Sequence, residues 1–166
     1  MHEAEFSFPL SVSFPAASWH DSAMTRFQAL DVQESIHVPA TRVWFLLTDW
    51  VAAPKWMPGV DSMEAEQLTT IPGTVLDYRS GEHERQLVIT ELQDGQSITL
   101  ATGSGDIRVL YSYELSEGSG QTTVRLLVSV EAAAELEDEV GELLAAIADS
   151  ESGTLKALRI YAEAAP

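Results

Sequence analysis

The chain has 166 residues, 45% hydrophobic and 21% charged, proportions that suit one globular domain with a self-supporting core. Twenty-six acidic against nine basic residues leave a formal charge of −17, a field that repels nucleic acid and argues against any polyanionic partner. The absence of cysteine excludes disulfides, thiol nucleophiles and cysteine-bound metal centres.

Residues 1–25 read as an N-terminal extension. Within it Phe6, Phe8, Leu10, Val12 and Phe14 recur with period two, the pattern of an extra edge strand or extended arm, to which Pro9 confines it. The start lacks the basic segment and apolar run of a secretory signal, and no stretch approaches the ~18 apolar residues of a spanning helix. A cytoplasmic, non-spanning protein is expected, its domain proper covering residues 26–166.

Phe27 to Val38 reads as the first strand, with Leu30, Val32, Ile36 and Val38 on one parity and Glu34 interrupting it. Pro39 suits the first helical position, and Val43, Trp44, Leu46 and Leu47 give a short amphipathic helix reaching about Trp50. Between Pro54 and Pro58 there is room for one further helical turn. Six strand-like runs follow: Ser62 to Thr69, Thr74 to Ser80, His83 to Leu92, Ser97 to Thr102, Ile107 to Leu115 and Thr122 to Glu131. Breaks at Pro72-Gly73, Gly81, Asp94-Gly95, Gly103-Ser104-Gly105 and Gly118-Ser119-Gly120 are short enough for hairpins, so an antiparallel meander is expected. In the last two runs Ile107, Val109, Tyr111, Tyr113 and Leu115, and then Val124, Leu126, Val128 and Val130, share a parity opposed by mostly polar residues. One face is expected buried and the other wet. The spacing then turns helical through Leu136, Val140, Leu143, Leu144 and Ile147, and again through Leu155, Leu158 and Tyr161. Gly153 marks a kink or break, since glycine inside a helix costs about 1 kcal/mol relative to alanine.

The early run Ile36-His37-Val38-Pro39-Ala40-Thr41-Arg42-Val43-Trp44, then Leu47-Thr48-Asp49, then Trp56-Met57-Pro58-Gly59-Val60, resembles the mark of the helix-grip START-related superfamily. That superfamily takes in START-related lipid carriers, birch-pollen-allergen proteins and polyketide cyclase/dehydrase-like proteins. The element order is similar along its whole course, from about Arg26 to Ala165. The resemblance implies an α+β helix-grip fold: a curved antiparallel sheet of about seven strands around a long C-terminal helix, with two short helices after the first strand.

A strongly bent sheet cannot press along the whole length of one helix, so such a fold tends to leave an internal space for an apolar small molecule. The wall candidates are Tyr78, Leu87, Ile89, Tyr111 and Tyr113 on the strands, Leu143 and Ile147 on the helix, and Trp56 near an entrance. Each of these also suits plain core packing. Arg85 shares parity with Leu87 and Ile89 and could orient a carbonyl or acid, while an exposed salt bridge beside His83 and Glu84 would explain it equally. In the aromatase/cyclase branch a strand-borne arginine and cavity aromatics are thought to position a polyketide. In the register of that resemblance the matching fourth-strand position is Glu91, not an arginine, a departure that weighs against cyclase activity.

The histidines His2, His20, His37 and His83 have no ligand spacing, so no metal is expected. The Gly-Ser-Gly runs lack the lysine and helix of a phosphate loop, and no other cofactor is implied. Three functions stay open: carriage of a hydrophobic polyketide, isoprenoid or lipid; a cyclase/dehydratase-type enzyme using Arg85 and Tyr111 as acid–base groups; and assembly of a homodimer through the N-terminal arm.

Overall fold

The structure, a computed structural model, describes residues 24–164. The arm read for Phe6 to Phe14 lies outside the described residues. Its seven strands are β1 (Met24–Ile36), β2 (Ser62–Ala65), β3 (Val75–Ser80), β4 (His83–Gln93), β5 (Ser97–Ser104), β6 (Ile107–Gly118) and β7 (Gln121–Ala133). They form one antiparallel sheet in the order β1-β7-β6-β5-β4-β3-β2. Helix α1 (Ala40–Leu47) and a 3-10 helix, Trp50–Lys55, follow β1, and α2 (Glu137–Glu151) and α3 (Thr154–Ala164) end the fold.

The inward parity is what makes the sheet a core. On β7, Thr122, Val124, Leu126, Val128, Val130 and Ala132 are all fully buried, and they stand opposite Tyr113, Tyr111 and Val109 of β6. Two register shifts, between Gln28 and Leu30 on β1 and between Ile89 and Glu91 on β4, add local twist and help the sheet curl. The opposite parity is not uniformly wet. Thr99, Ala101, Leu110 and Ser129 are buried there too, and Val88, Ala101, Leu110 and Ser129 form one cross-strand row.

Helix α1 begins one residue after Pro39, whose extended ψ of 156 makes it the N-cap rather than the first helical residue, and buries Val43, Leu46 and Leu47. The second helical segment lies earlier than the prolines suggested, with Pro54 inside its 3-10 turns. The strand expected from Ser62 to Thr69 stops at Ala65. There the chain leaves the ladder: Val75 N–H donates to the Gln67 side chain at 3.0 Å. Buried Thr74 then closes the loop, its hydroxyl accepting from Ile71 N–H at 3.1 Å and donating to the Thr69 carbonyl at 3.1 Å.

The C-terminal helix is divided at Ser152–Gly153, as the glycine implied. Helix α2 leans on β1 and β7, and α3 leans on β1, β7 and α1. Glu34, the polar interruption in β1, meets Arg159 of α3 with Nε 2.6 Å from its carboxylate. Helices α2 and α3 therefore crowd one flank of the sheet while the 3-10 helix packs on β2 at the other edge, and between them the inward face over β3 and β4 is left with room.

Candidate functional site

The room appears as two adjoining pockets. One, of about 230 Å³, lies between Leu143 and Ile147 of α2 and the strand residues Tyr78, Arg85, Val109 and Tyr111. A deeper one of about 50 Å³ continues along Met63, Leu87, Leu100, Thr102 and Tyr113. Pro58, Tyr78, Arg85, Tyr111 and Glu151 border both. A larger concavity of about 450 Å³ lies over β2, β3 and β4 beside Glu64, Asp77, Arg79, Glu84 and Gln86. Four of those five polar groups are paired: Arg79 with Glu84, and Gln86, which donates to Asp77 at 3.0 Å and also to Glu66 at 3.2 Å. Size alone favours that groove, but its paired polar walls suit solvent, whereas an apolar enclosure with a few convergent polar groups suits a guest.

Strand register assembles the polar end. Tyr78 of β3 lies directly across from Arg85 of β4, and Leu100 of β5 across from Tyr111 of β6. Glu84, a neighbour of Arg85 in sequence, pairs with Arg79, and Arg85 borders both pockets. Glu151 closes the arrangement from the last position of α2, where Thr154 Oγ1 donates to its Oε1 at 2.8 Å.

Burial sets the protonation states. It raises the Tyr78 phenol, an effect that the nearby Arg85 charge opposes. It lifts Tyr111 well above the ordinary phenol range, with Glu151 adding to the rise, and raises Tyr113 in the same way. All three phenols stay protonated at neutral pH and can donate. Burial also raises the Glu151 carboxyl, against the Thr154 hydrogen bond that favours its ionised form.

Seven of the nine residues named from the sequence border this space: Tyr78, Arg85, Leu87, Tyr111, Tyr113, Leu143 and Ile147. Ile89 is fully buried in the core and Trp56 is 5% exposed there, and neither borders either pocket. Among the described residues the indole N–H of Trp56, like that of Trp50, is buried without a hydrogen-bond partner. Glu91 is exposed, because the β4 bulge after Ile89 reverses the alternation and sets Glu91 opposite Thr99 on the outer face. The β4 arginine at the pocket is Arg85. The residue missed was Glu151, although its spacing of four from Ile147 and eight from Leu143 places the three on one helix face.

A curved sheet gripping a C-terminal helix, with an apolar gap between them, defines the helix-grip class. The chain belongs to the family described as polyketide cyclase / dehydrase and lipid transport, whose profile matches residues 28–160. A search of the curated proteins finds no match. Among solved structures, truncated norcoclaurine synthase from Thalictrum flavum superposes with a TM-score of 0.68 at 12% identity, covering 89% of this chain and 99% of that one. Ara h 8.0201 gives 0.62 at 19% identity, covering 86% and 99%. The di-domain ARO/CYC BexL from the BE-7585A biosynthetic pathway gives 0.64 at 16%, covering 89% of this chain and 53% of the other. At these identities the likeness establishes the fold. Among the described residues no helix is long and apolar enough to cross a membrane, and no cluster of His, Asp or Glu could hold a metal.

Proposed function

We propose that the protein binds a small hydrophobic molecule between α2 and the β3-β4-β6 wall. The observation that carries this reading is the pocket of about 230 Å³, walled by Leu143, Ile147 and Val109 and ending in Arg85, Tyr78, Tyr111 and Glu151. The aliphatic wall supplies non-directional affinity, and the polar end orients whatever oxygen or nitrogen the guest carries. Volume narrows the guest. Sites for drug-sized ligands occupy roughly 300–1,000 Å³, so this space suits a compact one- or two-ring molecule better than an extended polyketide or acyl chain.

The test is to extract the purified full chain with organic solvent, identify what is released by mass spectrometry, and titrate the emptied protein with two-ring aromatic probes. A stoichiometric apolar compound, or saturable uptake lost in Leu143→Trp, which puts an indole into the gap, is the expected result. Protein that releases nothing and takes up no probe would overturn the reading.

A second reading, an enzyme of the cyclase or dehydratase kind, draws on the convergence of Arg85 and Tyr111 on the same gap. There Arg85 and a phenol would hold a carbonyl oxygen and stabilise negative charge developing on it. Conversion of a bound aryl polyketone, lost in Arg85→Leu with binding retained, separates this reading from simple carriage.

A further inference from the structure

We propose that Glu151 is the selectivity group of the pocket, accepting a hydrogen bond from a hydroxyl or N–H on the guest, so that the natural ligand is a hydrogen-bond donor as well as a hydrophobe. This rests on the reading that the gap holds a guest, and it adds a chemical requirement to that guest.

Three observations support it. Glu151 borders both pockets, following Leu143 and Ile147 along the α2 face that looks at the sheet. Its carboxylate is held in place, because Thr154, itself 1% exposed, donates to Oε1 at 2.8 Å from the first turn of α3. Glu151 ends α2 and Thr154 opens α3, so this hydrogen bond spans the helix break and fixes an acceptor at the pocket's edge. The phenols of Tyr78, Tyr111 and Tyr113 all feel the Glu151 charge, which places its field across the gap.

The chemistry of the lining makes this acceptor distinctive. Arginine offers only donors, and a protonated phenol is a good donor but a modest acceptor. The Ser80 and Ser150 hydroxyls on the same lining are neutral acceptors that already donate to the Gly59 and Ile147 carbonyls, and His83 offers at most one ring-nitrogen acceptor. A guest carrying only a carbonyl or ether oxygen can be met by these groups. A guest with its own O–H or N–H needs a strong acceptor, and the carboxylate provides one. A carboxylate facing an apolar wall is costly unless hydrogen-bonded, and one threonine hydroxyl cannot fill the four or so lone-pair sites of the two oxygens. A donor on the guest relieves that cost, and a guest without one leaves it standing.

The experiment compares 2-naphthol with 2-methoxynaphthalene, which share a ring system and an oxygen and differ in the donor hydrogen. Affinities are measured by fluorescence titration of the full chain and of Glu151→Leu and Glu151→Gln. The native chain is expected to prefer 2-naphthol by roughly tenfold, the scale of one charge-assisted hydrogen bond. Glu151→Leu should abolish the preference while keeping 2-methoxynaphthalene, and Glu151→Gln, with a neutral acceptor, should show an intermediate ratio. Equal affinities in the native chain, or a preference that survives in Glu151→Leu, overturn the assignment and leave the pocket reading intact. If neither probe binds the native chain, the pocket reading falls and this one with it. Should Glu151→Leu fail to fold, the native ratio and the Glu151→Gln ratio decide.

Discussion

The flank of the sheet built by β1 and β7 and the flank built by β3 and β4 use the same alternation of residues to opposite ends. On the first, α2 and α3 press onto the strands, and the inward residues of β7 from Thr122 to Ala132 are fully buried. On the second, Tyr78 and Arg85 remain only half-buried, with α2 facing them across the gap. The ionised groups divide in the same way. Arg125 donates to Asp31 at 2.9 and 2.8 Å and holds that carboxyl below its usual value. Burial pulls Glu131 upward, but Arg26 and Arg108 outweigh it and leave Glu131 lowered as well. Glu151, at the pocket, is raised. One flank is finished as structure, and the other keeps space and an unusual carboxyl, a combination that marks functional sites more often than scaffolding.

The largest effect should come from hollowing the packed flank. Leu158 of α3 is fully buried against it, so Leu158→Ala is expected to cost about 3 kcal/mol, the lost burial plus a cavity the neighbours cannot close. The matching change at the open flank, Leu143→Ala, is expected to cost about 1 kcal/mol, because that half-buried side chain already borders a void. Urea unfolding of the two variants measures both. Equal losses would mean that the gap closes in solution.

Next is the hairpin that ties β5 to β6. Gly103 has a φ of +132, and a Cβ there would stand 2.3 Å from the Ile107 carbonyl oxygen and 2.6 Å from Arg108 Cα, both backbone atoms. Gly103→Ala is expected to cost upward of 1 kcal/mol by urea unfolding. Since Thr102 and Val109, which flank this turn as a cross-strand pair, border the two pockets, probe uptake should fall as well. Unchanged stability would show that the turn relaxes freely.

Much of this was legible in the sequence, and the failures have local causes. Strand-like runs set between turn signals located all seven strands, with clean alternation in the last two, because a half-buried strand must alternate wherever one face meets the core. Alternation cannot report a bulge, which leaves no composition signal on β4, so Glu91 shares the sequence parity of Ile89 and yet faces out. Nor does parity say where along a strand the helix stops touching. Ile89 and Arg85 share a face, yet one is sealed in the core and the other borders the gap. Glu151 was hidden by its neighbours, because Glu151-Ser152-Gly153 reads as the end of a helix and an acidic residue at a helix end reads as solvated. The four-residue spacing from Ile147 was the available clue.

The smallest expected effect, and the one that separates the flanks most cleanly, is the pH dependence of stability. A carboxyl lowered on folding, as Asp31 and Glu131 are, binds fewer protons folded than unfolded, so its contribution is present above the unfolded value and fades as pH falls through the folded one. Glu151 has the opposite sign. Its folded value lies above the ordinary glutamate value, so between the two the folded chain holds more proton than the unfolded chain. Its contribution is complete below that window and declines as pH rises through it. Glu151→Gln removes this decline, so relative to the native chain the variant should gain stability as pH rises through the window and keep a constant margin above it. Asp31→Asn should instead lose ground over a lower range, where the native Asp31 ionises and gains its Arg125 partner. Thermal melts of the three proteins across acidic and neutral pH check both slopes. A Glu151→Gln margin that shrinks with rising pH would show that the pocket favours the carboxylate, and the two flanks would then differ in packing alone.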